Sequence, residues 1–156
     1  MMNPFVYLLD TNILSDLIKN PQGEVMRRIA AVGERVICTS IVVAAEMRFG
    51  ALKKGAPALT AKVEQILDNL EVLPLDIDAD RHYAEIRNDL EHRGVMFGPN
   101  DLLIAAHARS LELTLVTDNI REFKRVSNLA VENWLFPPFP HSVSESNPPY
   151  CVRQRL

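Results

Sequence analysis

Short strand-like runs alternate along this chain with segments of helical spacing, and two of the runs stop abruptly at a turn that carries an aspartate. Residues 5–9 (Phe-Val-Tyr-Leu-Leu) are continuously apolar, as in a strand buried on both faces. They end at Asp10-Thr11-Asn12, residue types that favour turns and helix caps. A second run, residues 113–116, leads into Thr117-Asp118-Asn119. Further strands are expected at 35–38, at 71–75 where Pro74 interrupts the run, and at an edge position over 129–131. Helical spacing predicts helices over 13–18, 24–31, 41–53, 58–70, 77–93, 101–111 and 120–125. Ser40 is the candidate N-cap of the third, Asn100 that of the sixth, and Gly94 stands just past the end of the fifth. Strands alternating with helices imply an α/β layer with a mainly parallel sheet.

Composition narrows the class. With 47% apolar and 24% charged residues, the 156-residue chain can build one hydrophobic core, which excludes wholesale disorder and a disulfide scaffold. No apolar run approaches the ~20 residues needed to span a bilayer, and the N-terminus lacks the pattern of a secretory signal. Cys38 and Cys151 form neither a disulfide framework nor a zinc ligand set, so a reducing, cytoplasmic location is expected. Five of the ten prolines lie in 137–149, so residues 137–156 read as an extended or disordered tail following one domain over 1–136.

Four acids occupy unusual addresses. Asp10 and Asp118 directly follow apolar strands, and the carboxyl ends of parallel strands are where ligands bind. Glu46 has Val42, Val43, Phe49 and Gly50 as its helical neighbours, which places a carboxylate on an apolar face. Asp101 shares its face with Ile104, Ala105 and Ala108. Each acid alone has an ordinary explanation, such as a cap, a first-turn acid or a buried ion pair. Together they point to one carboxylate cluster at the carboxyl edge of the sheet. Two carboxylates ~4 Å apart repel by about 4 kcal/mol at an effective dielectric of 20. A hard divalent cation, Mg²⁺ or Mn²⁺, relieves that repulsion and prefers oxygen ligands.

The net charge of −3 argues at first against a nucleic-acid binder. With the four acids set aside, 16 acids face 17 bases. Arg48, Lys53 and Lys54 follow Glu46, and Arg121, Lys124 and Arg125 follow Asp118, where they could flank the pocket and hold a phosphate backbone. The competing reading of these six bases is an ordinary solvated helix surface.

The segments Leu8-Leu-Asp-Thr-Asn12, Ala44-Ala-Glu46 with Gly50, Gly98-Pro-Asn-Asp-Leu-Leu-Ile-Ala-Ala-His-Ala108 and Val116-Thr-Asp-Asn119 follow in that order. With Glu122-Phe123 and Val131-Glu-Asn-Trp134, they resemble the PIN-domain ribonucleases, most of all the VapC toxins of bacterial VapBC toxin–antitoxin pairs. The resemblance covers about residues 5–136. It implies a three-layer α/β/α domain, usually dimeric, and assigns Asp10, Glu46, Asp101 and Asp118 to an acidic site that binds Mg²⁺ or Mn²⁺. Thr11, Asn12, Thr117 and Asn119 match polar positions beside it. The implied activity is metal-dependent cleavage of RNA, with tRNA or rRNA as substrate. The implied partner is a VapB-like antitoxin, through which operator DNA is bound.

Three other readings stay open at this stage. The chain could serve mainly as a protein-binding module in an antitoxin–operator complex, with little turnover. It could be a flap-type DNA nuclease, although it is short for the duplex-binding elements such enzymes carry. A phosphoacceptor receiver domain would need an acidic pair after its first strand, where this chain has Asp-Thr-Asn.

Overall fold

The computed structural model describes residues 3–137. The elements run β1 (Tyr7–Leu9), α1 (Thr11–Lys19), α2 (Glu24–Val32), β2 (Ile37–Ser40), α3 (Ile41–Lys54), α4 (Pro57–Asp68), β3 (Glu71–Leu73), α5 (Ala79–His92), α6 (Pro99–Ser110), β4 (Thr114–Val116), α7 (Ile120–Phe123) and β5 (Val131–Glu132). All strand pairs are parallel, in the order β3-β2-β1-β4-β5, and helices cover the sheet on both sides. This is the three-layer α/β/α architecture expected. Most of the proline-rich segment assigned to residues 137–156 lies outside the described residues. Among the described residues, no helix is long and apolar enough to cross a membrane.

The core forms because the strands carry apolar residues on both faces. Leu8, Leu9, Cys38, Leu115 and Val116 are fully buried. Trp134, just past β5, is also fully buried and packs against Tyr7 of β1 with ring centroids 4.9 Å apart. The pairing sets Leu9 opposite both Thr39 and Val116. The next residues, Asp10, Ser40 and Thr117, therefore emerge side by side at the carboxyl edge. From β1 the chain order runs outward to β2 and β3 on one side and to β4 and β5 on the other. The gap between β1 and β4 is thus the topological switch point, the place where open α/β sheets bind ligands.

Several boundaries differ from the sequence expectations for identifiable reasons. The second strand begins at Ile37 rather than Arg35, because Glu34–Val36 forms a single 3-10 turn. Strand β3 stops at Leu73, one residue before Pro74, which cannot donate to a ladder. Helix α5 starts at Ala79, after Asp78 takes a positive φ of 78°, and Ile77 is left 86% exposed. The cap of α6 is Gly98, not Asn100. Pro99 occupies the first helical position, where its missing N–H costs nothing. The final strand falls at Val131–Glu132, and Leu129 and Ala130 precede it. Ser40 caps α3 as expected, accepting from the Val42 N–H at 3.0 Å. Gly94 follows α5 with φ 69°, a left-handed conformation that glycine adopts without a Cβ penalty.

Candidate active site

Asp10 is the N-cap of α1 and is 4% exposed. Its Oδ1 accepts from the Thr11 N–H at 2.8 Å and its Oδ2 from the Thr117 hydroxyl at 2.8 Å. The Thr117 oxygen in turn accepts from the Asn119 N–H at 3.0 Å and from the Asn12 amide at 3.5 Å. The Asn12 Oδ1 accepts from the Asp118 N–H at 3.0 Å. The turn after β1 and the turn after β4 are therefore stitched together by Asn12 and Thr117, with Asp10 at the seam. Thr11 makes the third link, donating from its hydroxyl to Glu46 Oε1 on α3 at 2.9 Å.

Asp10, Glu46 and Asp101 line one cleft of about 560 Å³, together with Thr11, Asn12, Asn119 and part of α1. Their environments show that the acids feel one another. Asp101 is pushed up to about 6, first by burial and then by the charges of Asp10, Glu46 and Glu122. Asp10 is also raised, chiefly by burial. Its bonds from Thr117 and Thr11 favour the ionised form but do not cancel that penalty, and the Glu46 charge adds to it.

Two expectations need adjustment. Glu46 sits at the margin of the buried face of α3 rather than in its middle. The helix buries Val43, Ala44, Met47 and Ala51, while Phe49 is 64% exposed. Asp118 does not line the cleft. After β4 the side chains still alternate, so Thr117 turns inward beside Asp10 and Asp118 turns to solvent. Its carboxylate there accepts from the Asn133 amide at 3.1 Å.

The six bases singled out from sequence do not line the cleft either. Arg48 makes a two-pronged ion pair with Glu64 on α4, at 2.9 and 3.0 Å. Lys53 lies 6.0 Å over the Phe49 ring, and Lys54, Arg121, Lys124 and Arg125 are exposed. The base that does line the cleft is Lys19, at the end of α1, along with Ser15, Asp16 and Leu135. Thr11, Ser15 and Lys19 stand four residues apart. Starting the first helix at Thr11 rather than Ile13 exposes this polar stripe in the sequence itself.

The donor set suits a hard divalent cation in chemistry and in charge. It offers only oxygen atoms, and the repulsion from neighbouring acids that adds to burial in raising Asp101 is what a cation would remove. In the conformation described, no group of three His, Cys, Asp or Glu side chains among the described residues is arranged to hold a metal ion. The fit is therefore one of ligand type and electrostatics.

Comparison with known proteins agrees with this geometry. Residues 7–129 match the family model of the PIN domain. Ribonuclease VapC2 of Rickettsia felis is 39% identical over 131 residues, covering 83% of this chain and 98% of the relative. The tRNA(fMet)-specific endonuclease VapC of Salmonella typhimurium is 38% identical over 129 residues, covering 82% and 97%. Among solved structures, VapBC2 from Rickettsia felis bound to a promoter DNA fragment superposes with a TM-score of 0.78 at 36% identity, covering 83% of this chain and 99% of that one. DNA-bound VapBC from Salmonella typhimurium gives the same TM-score at 37% identity, covering 83% and 98%. The family match over most of the chain, relatives matched over nearly their full length, and a polar cleft at the switch point of a five-stranded parallel sheet lead to one conclusion: this chain belongs to the PIN-domain family and, within it, to the VapC ribonucleases.

Proposed function

We propose that the chain is the toxin of a toxin–antitoxin pair, an endoribonuclease that hydrolyses tRNA at the cleft between β1 and β4. The observation that carries this reading is the convergence of Asp10, Glu46 and Asp101 on one cleft at the sheet's switch point. The substrate class follows from the relative named as specific for tRNA(fMet).

Asp10, Glu46, Asp101 and, from the rim, Asp118 would hold Mg²⁺ or Mn²⁺. When bound, such an ion supplies Lewis-acid polarisation of the scissile phosphate and lowers the pKa of a coordinated water. The chain's own residues do the rest. Thr11 and Thr117 hold Asp10 in one orientation through a backbone N–H and a hydroxyl. Thr11 also restrains Glu46. In the reaction the water gives up one proton as its oxygen bonds to phosphorus, the bond from phosphorus to one ribose oxygen breaks, and that oxygen takes up one proton, leaving a phosphate monoester and a free hydroxyl.

Lys19 stands at the cleft as a phosphate contact. Replacing Lys19 with Ala raises KM for RNA about three- to tenfold and leaves kcat within about twofold. It also lowers the slope of log KM against log salt by about one. Steady-state cleavage at several salt concentrations checks this, and an unchanged slope removes Lys19 from the RNA path.

The partner is a VapB-like antitoxin, by likeness to the VapBC complexes. We also assign the chain a homodimeric state, with the exposed Phe49 and Leu52 of α3 (64% and 73%) as apolar surface for it. A second reading, a binding module with little turnover, draws on the DNA-bound state of those related complexes. Turnover separates the two. Purified antitoxin-free chain is incubated with tRNA(fMet), other tRNAs and rRNA, in Mg²⁺, Mn²⁺ or EDTA. One discrete cut in tRNA(fMet) that EDTA abolishes supports the nuclease. Intact RNA in every lane, from protein shown to be folded, supports the binding module.

A further inference from the structure

His107 is buried and is not used by the mechanism above. It lies on α6, the helix that begins with the turn carrying Asp101, and is 1% exposed. Its Nδ1 lies 2.8 Å from the hydroxyl of Ser40, which is 0% exposed and caps α3, the helix that carries Glu46. The Ser40 oxygen already accepts from the Val42 N–H, and among the described residues that hydroxyl makes no other hydrogen bond. Its single proton is therefore donated to Nδ1, and the ring proton sits on Nε2. That nitrogen is buried and has no hydrogen-bond partner among the described residues. Burial holds the imidazole below its usual range, so it stays neutral at physiological pH.

We propose that the buried Ser40–His107 hydrogen bond is a positioning device that sets the separation of α3 and α6, and hence of Glu46 and Asp101. The two helices pack against each other. Ser40 lies six residues before Glu46, and His107 lies six residues after Asp101. Each acid is thus about 9 Å of helix rise from the clamp. The clamp is needed because the acids it serves repel each other, Glu46 being one of the charges that raise Asp101. An apolar residue at 107 could fill the space. It could not accept the Ser40 proton, and that hydroxyl would be left buried and unpaired. His107 acts through Glu46 and Asp101 and does not touch substrate.

This inference rests on the nuclease reading, so wild-type cleavage of tRNA(fMet) is the entry condition, and its failure counts against that reading alone. The variants are His107→Ala, His107→Asn and Ser40→Ala, with Val25→Ala on α2 as a control that removes buried volume at a residue outside the cleft. Asn places an acceptor oxygen where Nδ1 stood. His107→Ala is expected to lower kcat about tenfold or more, with KM for RNA within about twofold. It is also expected to weaken Mn²⁺ binding to the RNA-free protein, read by electron paramagnetic resonance. His107→Asn restores most of both. Ser40→Ala falls with His107→Ala, and the double variant is no slower than the worse single one. Ser40→Ala removes one oxygen and carries the test if His107→Ala does not fold. The proposal is overturned if a folded His107→Ala or Ser40→Ala keeps kcat and Mn²⁺ affinity within about twofold of wild type. It is also overturned if Val25→Ala loses as much of both, or if the losses at 40 and 107 simply multiply.

Discussion

Asp10→Asn is expected to reduce RNA cleavage about a thousandfold while the fold persists. The loss corresponds to about 4 kcal/mol of transition-state stabilisation, the scale of a charged group that holds a catalytic cation. The expectation of an intact fold follows from the geometry. The amide oxygen of Asn still accepts from the Thr11 N–H, the amide NH2 can donate to the Thr117 oxygen once that hydroxyl rotates away, and the substitution removes a charge whose burial is unfavourable. Circular dichroism and thermal unfolding should show native structure and a midpoint no lower than wild type. Unfolded protein whose remaining folded fraction cleaves at the normal specific rate would refute the assignment of Asp10.

The second large effect concerns Asp101 and has a definite sign. Its folded-state pKa of about 6 lies above the ordinary 3.8. Below about pH 3.8 both states are protonated and nothing is lost. Between about 3.8 and 6 the folded state holds the extra proton, so stability falls as pH rises. Above about 6 the full penalty is present. Two pKa units correspond to roughly 3 kcal/mol, and solvent screening of a half-buried carboxylate reduces this to about 1–2 kcal/mol. Asp101→Asn should therefore stabilise the metal-free protein by about 1–2 kcal/mol at pH 7, or about 2–8 °C in Tm, and by nothing near pH 3. Mn²⁺ should raise the Tm of wild type, because it binds only the folded state, and should raise that of Asp101→Asn much less. Urea titrations at pH 3, 5 and 7, with and without Mn²⁺, test the whole pattern. A variant less stable than wild type at pH 7 would mean that Asp101 is satisfied by a partner rather than penalised by burial and by neighbouring acids. Cleavage by the same variant should be reduced to a similar degree as by Asp10→Asn.

Much of this was legible in the chain. Asp10 was legible because the apolar run before it is short and both-sided, so the strand had to be central and its end had to be a carboxyl edge. Thr117 and Asn119 were legible only through resemblance. Nothing about a lone threonine says that its hydroxyl will hold an aspartate a hundred residues away. Lys19 is not legible from apolar spacing, which starts the first helix at Ile13 and so leaves Thr11 off the four-residue polar stripe. The six bases near Glu46 and Asp118 in sequence do not line the cleft. Arg48 points from α3 to Glu64 on α4, away from the carboxylate two residues earlier, because a helix turns about 200° in that interval.

Local sequence by itself determined the element order, the parallel α/β class and the residue types able to cluster at one sheet edge. Those properties depend on periodicity and on where polar residues interrupt apolar runs, both of which are read within a few residues. Tertiary structure alone decided which carboxylates share the cleft, that Asp118 turns to the rim, and that a buried serine and histidine join α3 to α6. Those outcomes depend on strand register and on the rotation of each helix about its axis. Both are set by packing between segments far apart in the chain, and a rotation of one residue's worth moves a side chain from the cleft to solvent.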